Sequence, residues 1–232
     1  MSPRLTAVFA HPDDDTFGIA GTVALHADEP GFAFAVVLAT SGEAGRIADA
    51  SLATPETLGA VREAEDRASW EALGARPELL AFLRYADGGL AEVPRGELVQ
   101  RLAGLLLELR PDVVVTFGPE GVTGHADHVA VGAAADEAFH LARERAGGSF
   151  SRLLHVCLPR SLLERFGELL RERGIEPPDP TQPFQPRGVP DAEVAVSVDC
   201  RPVLHRKLAA IREHRTQAEL EEACRLANLH DF

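Results

Sequence analysis

Two short stretches of this chain concentrate side chains able to bind a cation or move a proton. His11-Pro12-Asp13-Asp14-Asp15 places one imidazole and three carboxyls within five residues. Gly124-His125-Ala126-Asp127-His128 places two imidazoles three residues apart with an acid between them. A solvated loop in which Asp15 or Thr16 caps a helix explains one acid of the first stretch. It does not explain His11 beside a string of carboxyls. A lone histidine is more often structural, but two at this spacing face one way where a helix begins. The Asp between them suits a group that fixes a ring's tautomer and orientation. Together the stretches supply enough His and Asp for a catalytic zinc site, which uses three protein ligands and leaves one position for water.

The surrounding pattern says what must hold these residues. Leu5–Ala10 reads as a buried strand running straight into the first cluster, with a helix over about Thr16–His26 after it. Phe32–Thr40 is a second strand-like run. Pro55–Leu73 is helical, with Pro55 near its start and Gly74 just past its end. Leu79–Tyr85 suits a third strand. Pro94–Leu109 is helical, with Leu98, Leu102, Leu105, Leu106 and Leu109 on one face. Asp112–Phe117 is the clearest strand, and a short loop joins it to the second cluster. Further on come a helix over Ala126–Arg145, a strand over Leu153–Leu158, a helix over Ser161–Arg173 and a late strand over Glu193–Val198. The chain then reads as helical from Pro202 to Leu229, broken near Thr216. Strands alternating with long helices predict one α/β domain over residues 1–232: a Rossmann-like, mostly parallel sheet flanked by helices. Such sheets bind ligands beyond the carboxyl ends of their strands, where both clusters fall. Glu176–Pro190 holds six prolines and predicts an irregular loop, either a surface excursion or a lid.

Composition excludes several partners. Formal charge is −13, from 36 acidic and 23 basic residues, and Lys207 is the only lysine. Such a chain repels nucleic acid and anionic membranes. No apolar run approaches the roughly 20 residues that span a bilayer. Met1-Ser2-Pro3-Arg4 shows no signal-peptide pattern, so a cytoplasmic location is expected. Cys157, Cys200 and Cys224 form no C-x-x-C pair and read as free thiols; metal ligands must come from His, Asp and Glu. Neither a G-x-G-x-x-G nor a P-loop follows the first strand. A homo-oligomer is compatible with the sequence.

The motifs, taken in order, resemble those of the LmbE-like (PIG-L) deacetylase family. Ala10–Asp15 (AHPDDD) is similar to its AHPDDE signature, and Gly124–His128 (GHADH) to its H-x-D-H motif. Thr40–Gly45 resembles its T-x-G-E-x-G turn, Arg62 and Glu65 its R-x-x-E helix start, and Asp87–Leu90 its D-G-x-L loop. Lys207, His214, Arg215 and Gln217 resemble its late K…H-x-x-Q segment. The likeness runs from Leu5 to Gln217. It implies a metal-dependent amide hydrolase acting on an N-acetylglucosamine-type conjugate or a related N-acylated small molecule, with Zn2+, or another divalent ion, as cofactor. By resemblance, His11, Asp14 and His128 ligate the metal and Asp13 is the general base. His125, charged and oriented by Asp127, stabilises the oxyanion, and Arg62 and Asp87 contact substrate. Asp15 departs from the family's glutamate, which puts a supporting contact in question rather than the metal site.

Two other classes compete. An aspartate-nucleophile phosphatase needs D-x-D-x-T/V; Asp13 and Asp15 have that separation, but Phe17 occupies the Thr/Val position and His125 and His128 go unused. A non-catalytic metal- or sugar-binding module would keep the ligands and lose the base, yet Asp13 is present.

Overall fold

A computed structural model describes residues 4–146, 150–182, 184–217 and 230–231. Five apolar runs become strands: β1 (Arg4–Phe9), β2 (Ala33–Leu38), β3 (Leu79–Phe82), β4 (Val113–Phe117) and β5 (Arg152–Val156). They pair entirely in parallel, in the order β3-β2-β1-β4-β5. Ala7 of the central strand lies between Val36 and Val115. Strands buried on both faces need continuous apolar runs rather than alternation, which is what AVF in β1, VVL in β2 and VVVTF in β4 provide.

Helices fill both faces. α1 (Asp14–His26), α2 (Leu58–Leu73) and α7 (Leu204–Ile211) pack on one another, as do α3 (Arg95–Leu109) and α5 (Ala126–Ala146). Right-handed crossovers that move outward in opposite directions from β1 and β4 set these two groups on opposite faces. α2 ends at Gly74, whose φ of 75° reverses the chain, and Gly74 and Ala75 N–H cap the last carbonyls. Buried Leu98, Leu102 and Leu106 of α3 meet Ala134, Ala135 and Phe139 in the core. α5 approaches β4 so closely that a Cβ on Gly132 would lie 2.4 Å from the Phe117 carbonyl oxygen; glycine lets this helix lie against the strand end.

Two late expectations are corrected. Glu193–Val198 does not join the sheet. Asp191–Glu193 forms a 3₁₀ turn, and only β8 (Val198–Asp199) pairs, antiparallel, with β9 (His230–Asp231). The alternating V-A-V-S-V run has strand propensity, but Ala195, Val196 and Val198 do not pair with the edge strand β5; they line a cleft with Ile19 of α1, Val115 of β4 and Leu154 of β5. The helix predicted from Pro202 is only α7, followed by a 3₁₀ turn at Arg215–Gln217; the rest of that prediction, 218–229, lies outside the described residues. α6 (Arg160–Glu172) precedes the proline-rich stretch, within which β7 (Gly188–Val189) bridges to β6 (Leu158–Pro159). No described helix is long and apolar enough to cross a membrane.

Candidate metal centre and active site

β1 and β4 are adjacent, and the strand order reverses between them. Their carboxyl ends therefore form the crevice where open α/β sheets bind ligands. Both His/Asp clusters leave these two ends. His11 N–H donates to Asp14 Oδ2 at 2.8 Å, which folds the loop so that Asp14 begins α1. After β4 the chain forms the short turn α4 (Gly121–Gly124) and enters α5, placing Asp127 and His128 in its first turn. The His128 ring stacks flat on Phe117, the last residue of β4, with centroids 4.0 Å apart.

The ring nitrogens can be assigned from their partners. His128 Nδ1 lies 2.9 Å from the Gly121 carbonyl, which can only accept, so Nδ1 bears the proton. His11 Nε2 lies 3.0 Å from Asp87 Oδ1 and 3.4 Å from Asp127 Oδ2 and bears the other. The remaining lone pairs, on His11 Nδ1 and His128 Nε2, face each other at 3.2 Å. Asp14 completes the triangle, its oxygens 3.4 Å from each. Two lone pairs and a carboxylate converging in this way require a positive charge among them. Tetrahedral bonds of about 2.0–2.1 Å separate ligand atoms by roughly 3.3 Å, so His11, Asp14 and His128 fit a divalent cation. His11 also belongs to two other groups of compatible atoms, one with His125 and His128 and one with Asp87 and Asp127.

Charge on these groups follows their neighbours. Burial opposes ionisation of Asp14, but the His128 ring and the His11 ring and N–H outweigh it and hold this carboxyl at about 2. Burial would weaken His11 as a base, yet Asp127, Asp14 and Asp87 raise it well above the usual histidine value. Without a cation, a proton takes the cation's place. Asp13 is pushed up to about 8, first by burial and then by the Asp14 charge.

Three predicted roles change in detail. The Asp127 carboxylate does not touch His125. It is fully buried and accepts Gly88 N–H at 2.7 Å and Leu90 N–H at 3.0 Å besides His11, so it anchors the 88–90 turn and the His11 ring. Its backbone N–H instead donates to His125 Nδ1 at 3.2 Å. Burial, then the His11 and His128 rings, lower the His125 pKa, and with Nδ1 accepting the Asp127 N–H, Nε2–H is the donor this ring has left to offer. Asp87 accepts Ala44 N–H at 2.9 Å and His11 Nε2–H; both of its oxygens are engaged within the protein, which makes it a partner of His11 before it is a substrate contact. Arg62 is 6% exposed and lies over the Thr40–Gly45 turn, where a Cβ on Gly45 would come 2.4 Å from its guanidinium. Its Nη2 donates to the Arg46 carbonyl, and its Nε has no acceptor among the described residues.

The profile of the GlcNAc-PI de-N-acetylase (PIG-L) family matches residues 6–139, more than half the chain. The chain belongs to this family. It is 34% identical to a 1D-myo-inositol 2-acetamido-2-deoxy-alpha-D-glucopyranoside deacetylase from Geodermatophilus obscurus, over 95% of this chain and 84% of that protein. Among solved structures it is similar to a conserved protein of Thermus thermophilus, with 28% identity and a TM-score of 0.65 over 95% of this chain and 84% of the other. It is also similar to N,N'-diacetylchitobiose deacetylase from Pyrococcus horikoshii, with 25% identity and a TM-score of 0.62, covering 93% and 71%.

Several groups of this PIG-L site escaped the sequence. Phe184 and Arg187 come from the proline-rich stretch. The Phe184 ring is 5.0 Å from His125, Arg187 N–H donates to the Val122 carbonyl at 2.6 Å, and the Arg187 guanidinium packs on Gly124. No local signal marks them. Glu43, in the turn motif, accepts Asp87 N–H at 2.9 Å. Gln217, visible only in the late family motif, donates to Asp13 Oδ2. His214 is 3% exposed, pushed down to about 4 by burial and then Arg62, and bonded to Thr16 Oγ1; it anchors the post-α7 segment to α1.

Proposed function

We propose that this chain is a zinc-dependent N-deacetylase acting on a small N-acetylglucosamine-type conjugate. The observation behind this reading is the convergence of His11 Nδ1, His128 Nε2 and the Asp14 carboxylate at 3.2–3.4 Å, with Asp13 beside them. His and carboxylate ligands suit zinc. Bound there, the ion supplies Lewis acidity to water and to the amide carbonyl.

The side chains divide the remaining work. Asp13 takes the proton of the attacking water at its carboxylate, as a general base within the cleft. Negative charge then grows on the amide oxygen, and His125 Nε2–H is the donor placed for it. Asp13, protonated by the first step, returns its proton to the leaving nitrogen. Asp87 and Asp127 hold the His11 tautomer, and the Gly121 carbonyl holds that of His128. Arg62, lying over the Thr40–Gly45 turn, is the cation assigned to a substrate oxygen. Relatives named as deacetylases of N-acetylated sugars support the substrate class. Elemental analysis of purified protein, together with acetate release from a panel of N-acetylglucosamine conjugates, tests the reading. About one divalent ion per chain and turnover on that panel are expected; phosphate release from phosphomonoesters instead would overturn it.

A further inference from the structure

Asp13 stands in an unusual backbone position. Its φ of 124° lies where residues other than glycine are strained. Such a residue keeps its place only when its surroundings over-determine it. The main chain supplies one restraint, Phe17 N–H donating to the Asp13 carbonyl at 2.9 Å. The carboxylate is restrained by Gln217, 204 residues away, whose Nε2–H donates to Oδ2.

Gln217 is itself held by a clamp. Glu65, on α2 and 9% exposed, directs both carboxylate oxygens at Thr216, accepting its N–H at 2.8 Å and its hydroxyl at 2.6 Å. The Thr216 carbonyl accepts Ala48 N–H at 2.9 Å, and Gln217 N–H closes a turn onto the His214 carbonyl at 2.9 Å. Thr216 is thereby fixed at its N–H, its carbonyl and its hydroxyl, and the next side chain projects onto Asp13. Gln217 Oε1 is buried without a hydrogen-bond partner among the described residues. A buried orphan acceptor is destabilising, so packing alone does not account for an amide here.

We infer that Gln217, set by the Glu65–Thr216 clamp, is the positioning residue of the general base: it occupies Asp13 Oδ2 and so presents Oδ1 to the attacking water. This rests on the deacetylase reading above. The chemistry fits a neutral donor. An amide orients a carboxylate without placing a full positive charge against it, whereas Lys or Arg at this position would weaken the base it orients.

A double-mutant cycle tests this. Gln217→Met keeps the volume and removes the donor, Asp13→Asn removes the base, and both are measured singly and together by acetate release, with metal content and Tm alongside. Gln217→Met should lower kcat by about ten- to a hundredfold with KM, metal content and Tm near wild type. In the Asp13→Asn background it should cost nothing further, because the two groups act as one unit. Thr216→Val, which removes one arm of the clamp, should give a smaller loss of the same kind. An equal loss in both backgrounds, a raised KM with intact kcat, or unchanged kcat would each overturn the inference. A wild type that releases no acetate would sink the deacetylase reading instead. The crystal structure of Gln217→Met then decides the clamp by itself: an Asp13 carboxylate turned from its wild-type rotamer supports it, and an unmoved one overturns it.

Discussion

Asp14 and Asp15 are consecutive residues in the first turn of α1, the first half-buried and the second fully buried, and their surroundings drive them in opposite directions. Asp14 faces the cleft between His11 and His128, and these rings hold its carboxyl at about 2 despite burial. Asp15 faces inward, fully buried, and burial raises it to about 6 although the Trp70 indole N–H donates to it at 2.8 Å. Its other neighbour is a second acid, Asp66, raised well above the usual carboxyl value by burial and then by the Asp15 charge. Asp15 Oδ1 and both Asp66 oxygens lack a donor among the described residues; a proton held between the two carboxyls satisfies one oxygen of each. Adjacent positions of one residue type thus become an acid held ionised beside two imidazoles and a core acid whose pKa is raised. Burial is common to both; the sign of the neighbours decides. An acidic string is therefore not itself a site, and only the face that meets imidazole lone pairs is equipped for a metal.

The two faces should respond differently to mutation. On the cleft face, His128→Ala should have the largest effect, reducing metal content by most of its one equivalent and activity to background; retained metal would remove His128 from the ligand set. Asp13→Asn keeps shape and metal and should lower kcat by roughly 10²–10⁴; near wild-type turnover would make Asp13 a bystander. His125→Ala should lower kcat by roughly 10²–10³ with KM little changed and metal retained, the usual loss of one oxyanion donor. Lost metal would instead favour the His11–His125–His128 group, and a raised KM with intact kcat would make His125 a ground-state contact.

The inward face predicts a small effect of opposite sense. Carboxyls raised in the folded state keep protons that the unfolded chain releases. Their stabilising contribution is then complete below the unfolded value of about 3.9 and is lost as pH climbs through the Asp15 value of about 6. Asp66→Asn removes one acid and offers an N–H to Asp15. It should raise Tm at pH 8, leave it nearly unchanged at pH 4, and alter kcat by less than about threefold. Thermal melts across that range check it; a variant less stable than wild type at pH 8 would contradict the shared proton.

Legibility in the sequence followed range of contact. The strands of the central sheet, the α2 and α3 faces and the position of both clusters at strand ends were readable, because apolar runs and helical periodicity are local signals. Gly74 was readable for the same reason. The partners that give each cluster residue its chemistry were not: His11 meets Asp87 and Asp127 from two other elements, and Asp13 meets Gln217 across 204 positions. The charge expected on His125 is opposed first by burial and then by two other imidazoles packed against its ring, surroundings that a spacing of three residues shows only in part. The V-A-V-S-V run around Val196 failed because propensity cannot show whether a run pairs with a sheet edge or only packs beside it.

Anomalous scattering at the zinc edge, on crystals of the zinc-loaded protein, addresses the metal centre most directly. The expected result is one peak about 2.0–2.2 Å from His11 Nδ1, His128 Nε2 and an Asp14 oxygen, with Asp13 unligated and Asp87 and Asp127 still on His11 Nε2. A peak bonded to His11 Nε2 together with Asp87 and Asp127, or no peak in the cleft, would contradict it.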